Sequence, residues 1–126
     1  MPYEVEIWNE EKIIFVKNEG LYTAEDAIEQ ISALLKLASE HSIYNILVDD
    51  TNMVTRLSLS DIKHLPDMYR VLRVPVHARL ALIFSEKKTT RAADLGVYEK
   101  IASSQGYTVR LFTDFDQAKN WLKESE

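Results

Sequence analysis

Residues 44–62, YNILVDDTNMVTRLSLSDI, decide the fold. Ile46, Leu47 and Val48 make an apolar run of the length of a short buried strand. Asp49, Asp50, Thr51 and Asn52 follow as turn-forming residues and mark where that strand should leave the core. Ser58-Leu-Ser-Asp61 then opens a helix, because either serine can accept a hydrogen bond from an orphan N–H of the first turn. Ile62, Leu65, Met68, Tyr69 and Leu72 give that helix its apolar side, while Pro66 within it predicts a kink or two short pieces meeting near Leu65. In open α/β sheets the carboxyl ends of the strands are where binding sites collect. The residues from Asp49 onward are therefore the first place to look for function.

Toward the N-terminus, Tyr3, Val5 and Ile7 alternate with Glu4 and Glu6, the period of an edge strand with one face in water. Lys12 to Val16 is apolar on both faces and pairs antiparallel with that strand, ending at Asn18-Glu19-Gly20. Thr23-Ala-Glu-Asp26 is a capping-box start for a long helix whose stripe is Ala24, Ala27, Ile28, Ile31, Leu34, Leu35 and Ala38. Toward the C-terminus, Arg79 to Phe84 is a further buried strand. A helix carrying Ala92, Leu95, Tyr98 and Ala102 follows and stops at Gly106. Thr108 to Phe112 is the last strand, and Thr113-Asp-Phe-Asp116 is a second capping-box-like start, for a short helix with Phe115, Ala118, Trp121 and Leu122. The order is ββαβαβαβα. Strands separated by helices pair in parallel through right-handed crossovers. The expectation is an α/β fold with a mixed five-stranded sheet, an antiparallel N-terminal edge hairpin and four helices, in a single domain spanning 1–126.

Composition narrows the function classes. Twenty acidic against fifteen basic residues give a net charge of −5, which opposes a general nucleic-acid-binding role. The absence of cysteine excludes disulfides, thiolate metal sites and cysteine nucleophiles. The N-terminal MPYEVEIW lacks the basic start and apolar core of a signal peptide, and no apolar run approaches the roughly 20 residues that span a bilayer. A cytoplasmic, soluble protein without a transmembrane segment is expected.

Gly20 with Tyr22-Thr-Ala-Glu-Asp, the strand ending ILVDD, LSLSDI, ALIFS, the long helix stopped by a glycine, and the closing VRLFTDFDQAKNWL together resemble SpoIIAA-like proteins. That group is placed with the STAS domains and the related CRAL-TRIO fold, and the resemblance covers nearly the whole chain. In anti-sigma factor antagonists of this kind a serine at the start of the helix after the central strand is phosphorylated. The matching place here is Ser58 to Asp61, so the resemblance implies Ser58 or Ser60. This chain lacks the paired serine and following glycine of the family motif, and its loop is longer, with Thr55 and Arg56 in it. What the resemblance implies more securely is binding of a protein partner or a small ligand.

Each candidate has an ordinary role as well. Ser58 and Ser60 are typical caps, although a phosphate there would favour the positive end of the helix dipole. Asp49 and Asp50 could serve a metal or act as acid and base, but successive strand residues point to opposite faces and no ligand cluster accompanies them. Lys87, Lys88 and Arg91, at a strand-to-helix junction, could hold an anion and otherwise form a solvated basic turn. Met53, Val54 and Leu57 could line a cleft or a partner interface and otherwise pack over the core. His41, His64 and His77 are scattered and have no nucleophile or orienting acid in evident reach.

The expected site is therefore Asp49, Asp50, Asn52, Met53, Leu57, Ser58, Ser60, Lys87, Lys88 and Arg91, with no catalytic residue, metal or cofactor. The expected function is a non-enzymatic regulatory or binding module that recognises a protein partner or small ligand at the carboxyl edge, and a homodimer is compatible with it. The alternative is a pocket for a small anionic or lipophilic ligand between the second and third helices, with Lys87, Lys88 and Arg91 holding the acid. A hydrolase or transferase ranks last.

Overall fold

A computed structural model describes residues 3–87 and 92–124. Among them the elements run β1 (Tyr3–Trp8), β2 (Ile13–Tyr22), α1 (Ala24–His41), β3 (Asn45–Thr55), α2 (Leu59–Val71), β4 (Arg79–Ile83), α3 (Ala92–Ser104), β5 (Thr108–Phe112) and α4 (Phe115–Lys123). The sheet order is β1-β2-β3-β4-β5, with β1 antiparallel to β2 and the remaining pairs parallel. The mixed five-stranded architecture expected from the sequence is the one observed.

Sequential parallel neighbours joined by right-handed crossovers place every crossover helix on one face of a sheet. The core follows that rule. Ile14, Val16 and Val48 pack with Ala38 of α1, and Leu80, Leu82 and Val109 pack with Ile62 of α2 and Tyr98 of α3. The alternate residues Ile13, Leu47, Ala81 and Ile83 face the other way and meet Ala118 and Leu122 of α4. Among the described residues three helices thus cover one face, and α4 alone covers the other.

The local signals act as the sequence implies. Thr23 and Ser58 each close a capping box, with Asp26 and Asp61 respectively. Gly106, at φ +91°, reverses the chain after α3 while the Tyr107 N–H donates to the Ala102 carbonyl, a glycine-stopped helix end.

Three expectations are corrected. Neither β2 nor β3 ends at its run of turn formers: they continue to Tyr22 and Thr55, paired as a two-stranded ribbon past the last β3–β4 pair, Asp49 with Ile83. Ladder pairing along both strands outweighs the local turn preference of Asn18-Glu19-Gly20 and Asp49-Asp50-Thr51-Asn52. Pro66 does not divide α2, which is assigned as one helix; the proline is buried, and its packing offsets the hydrogen bond it removes. Finally, α4 is capped by Asp114, whose side chain accepts from the Asp116 N–H, so Thr113 does not close a capping box there.

Candidate functional site

Between the pairs Lys17–Asp49 and Glu19–Asn52, two steps along β2 are matched by three along β3. The extra residue is a bulge at Asp50-Thr51, opposite Asn18, a device that re-aims a side chain. Asp49 turns to its own chain, where its Oδ1 accepts from the Thr51 N–H at 3.0 Å and the Thr51 hydroxyl at 2.6 Å. Asp50 instead accepts from Asn18 Nδ2 at 2.8 Å. Asn18 and Gln30, both buried, complete the network, with Gln30 Nε2 donating to Asn18 Oδ1 at 2.7 Å. The two carboxylates thus turn to different partners, although the charge of Asp49 still reaches Asp50.

Asp50 as a residue keeps intermediate exposure, but its carboxyl group is enclosed by protein. Burial pushes the carboxyl up to about 7; the Asn18 hydrogen bond works against this, and the charge of Asp49 adds to it. Three tyrosines feel its field. Tyr69 is raised to about 12, mainly by burial, and Tyr98 and Tyr22 are also raised, with burial the largest cause for each. The Tyr69 and Tyr98 hydroxyls are hydrogen-bonded to each other. No group of acids and histidines that could hold a metal ion occurs among the described residues.

The remaining nominated residues are dispersed. Asn52 is exposed and Met53 half-buried, whereas Leu57 is buried against Ile62 and Tyr98. Ser58 Oγ accepts from the Asp61 N–H at 3.0 Å and is the α2 cap. Ser60 is exposed, with its carbonyl 2.7 Å from His64 Nδ1. Lys87 is exposed, and Lys88 and Arg91 lie outside the described residues.

Two cavities lie at the opposite end of the sheet, where β3, β4 and β5 begin. A slot of about 100 Å³ runs between α1, the C-terminal half of α2 and the sheet, walled by Leu34, Ala38, Ile46, Tyr69, Leu80 and Val109 among others. Beside it is a more open hollow of about 530 Å³ bordered by Lys12, His77, Arg79 and Glu124. Tyr44 and Arg79 belong to the walls of both. None of the described residues nominated from sequence lines either space.

Arg79 dominates the hollow. Its guanidinium lies 4.1 Å from the centre of the Trp121 ring, and its Nη1 is buried with no hydrogen-bond partner. Burial lowers its pKa, opposed by the charge of Glu124. His77 packs edge-on against Tyr44 at 4.8 Å. Sequence reasoning passed over Arg79 because it opens an otherwise apolar strand. The available signal was its position, a charged residue just before the buried run LALI.

No family model matches the chain, and no curated protein matches it. A solved structure does: a protein from Shewanella loihica PV-4, described as an uncharacterized member of the DUF3478 family with a SpoIIAA-like fold. It is 24% identical, the match covers 96% of this chain and 92% of that one, and the TM-score is 0.59. The fold is SpoIIAA-like. On this SpoIIAA-like frame the polar Asp50 cluster occupies the carboxyl end of the sheet and the slot and hollow occupy its amino end.

Proposed function

We propose that the protein is a binding module, not an enzyme, and that it takes a small lipophilic ligand into the slot between α1, α2 and the sheet. The observation that carries this reading is the slot's nearly all-apolar wall, open beside the polar hollow. Apolar walls of this kind suit a small hydrophobe, whose burial against them removes apolar surface from water. The site thus moves from the carboxyl edge, and from the space between the second and third helices, to the amino edge beside α1.

Titration with 1-octanol, followed by backbone amide shifts, tests the reading. Saturable shifts are expected at residues around Leu34, Ile46 and Val109. Ala38→Leu, which fills the slot from the buried α1 face, should abolish them, and Ala78→Leu should do so from the mouth. Saturable shifts that persist unchanged in both variants, or that lie elsewhere, would refute the assignment.

A protein partner at the carboxyl end is the second reading. It is favoured by Leu21 and Val54, cross-strand neighbours in the projecting ribbon that are 51% and 55% exposed. Leu21→Ser with Val54→Ser should then release a co-purifying partner without changing the octanol titration.

A further inference from the structure

We propose that the loop joining α2 to β4 is a docking surface for an anionic lipid membrane, which it meets with exposed valines set among arginines. Residues 70–79, RVLRVPVHAR, hold three arginines, one histidine and no acid in a chain of net charge −5. Val71 and Val76, 70% and 61% exposed, are the two most exposed large hydrophobic side chains among the described residues. The backbone between them is fixed. The Val74 N–H donates to the Tyr69 carbonyl at 2.8 Å and the Arg73 N–H to the Arg70 carbonyl at 3.1 Å, the paired bonds that turn a chain sharply away from a helix end. The turn sets Arg73 at φ +63°, a backbone that suits glycine, and leaves the residue exposed. Apolar side chains that enter the headgroup region, flanked by cations that attract anionic lipids, are how a peripheral protein holds a bilayer.

Charge at this end of the sheet is segregated. Asp67 pairs with Arg70 at 2.9 Å, but Arg73 has no ion pair with a described residue. The neighbouring α3–β5 loop, residues 105–107, carries no charged residue. The other acids here are Glu40 near the end of α1, Glu10 and Glu11 in the β1–β2 turn, and Glu124 after α4. That turn leads into β2, two strand spacings or roughly 10 Å from β4. The slot favours lipid over an acidic protein as the occupant. Val74 and Ala78 of the same loop belong to its wall, so on the lipophilic-slot reading docking sets the slot against the phase that dissolves its ligand. No helix among the described residues is long and apolar enough to cross a membrane, and the contact proposed is peripheral.

Co-sedimentation with vesicles tests the surface, using phosphatidylcholine alone and phosphatidylcholine mixed about 3:1 with phosphatidylglycerol. The wild-type protein should partition onto the mixed vesicles at least about tenfold better than onto phosphatidylcholine, and about 0.5 M salt should remove most of that binding. Arg73→Glu and, separately, Val71→Ser with Val76→Ser should each lower partitioning by about tenfold. Neither valine lines the slot, so the double variant should keep its octanol titration within about twofold, and its amide spectrum reports that it is folded. Val76→Trp should be quenched by bromine-labelled lipid more strongly than the wild-type tryptophans. Equal partitioning onto both vesicles, or none, would overturn the proposal, as would wild-type partitioning in both variants. Self-association that the valine variant abolishes, without vesicle binding, would give the face to a second copy instead. Vesicle binding without octanol binding would remove the slot reading and leave the docking surface standing; octanol binding without vesicle binding would do the reverse.

Discussion

Replacing Asp50 by asparagine should make the protein more stable above neutral pH and flatten its dependence on pH. The folded state holds the carboxyl near 7, against an ordinary value of 3.8. Between these values the folded chain binds a proton that the unfolded chain has released. The contribution of Asp50 to stability is therefore fully present below pH 4, declines as pH rises toward 7 and is gone above about 8. At about 1.4 kcal/mol per pH unit the whole span is worth about 4 kcal/mol, of which about 3 kcal/mol falls between pH 5 and pH 8. Asp50→Asn is nearly isosteric, and its side-chain carbonyl can still accept from Asn18. Urea unfolding of both proteins at intervals from pH 5 to pH 9 isolates the term, since all other titrating groups are shared. The wild-type protein should lose about 3 kcal/mol relative to the variant across that range. A stability difference that stays constant within about 0.5 kcal/mol would refute the enclosure of this carboxyl.

Ser58→Ala removes the α2 cap and should cost about 1 kcal/mol, read as a lowered urea midpoint with an unchanged slope. Gly106→Ala meets no steric neighbour closer than Val76 Cγ1 at 4.0 Å, so its cost is the left-handed backbone at φ +91°, about 1–2 kcal/mol or roughly 4–8 °C in melting temperature. Tyr69→Phe leaves the Tyr98 hydroxyl without its partner and should cost about 1–3 kcal/mol; adding Tyr98→Phe should cost less than the sum of the single changes, as a double-mutant cycle would show.

Those signals that act within a few residues were legible. The alternation of Tyr3, Val5 and Ile7, the capping boxes at Thr23 and Ser58 and the stop at Gly106 each depend on neighbours in sequence, and each element they mark is present. The ribbon was not legible, because Asn18-Glu19-Gly20 and Asp49-Asp50-Thr51-Asn52 are turn formers until they meet one another across a ladder. The bulge that sends Asp50 to Asn18 exists only in that pairing. The slot drew nothing from any one motif. Its walls come from α1, β3, α2, β4 and β5, and its apolar residues read individually as ordinary core. Arg79 meets Trp121, distant in the chain, only through the fold, which sets its guanidinium 4.1 Å from the ring centre.

The single helix on the far face makes the order of synthesis matter. When β5 leaves the ribosome, all five strands and three helices exist, yet Ile13, Phe15, Leu47, Ala81 and Ile83 still lack the cover that Ala118 and Leu122 provide. A nascent chain at that stage presents a bare, twisted apolar surface, the kind of intermediate that chaperones bind and that aggregates when crowded. Docking of α4 closes that surface and in the same step brings Trp121 beneath Arg79. The helix that covers this face of the core thus also carries one border of the hollow, since Glu124 follows directly on it, and a chain on which α4 has not docked lacks both.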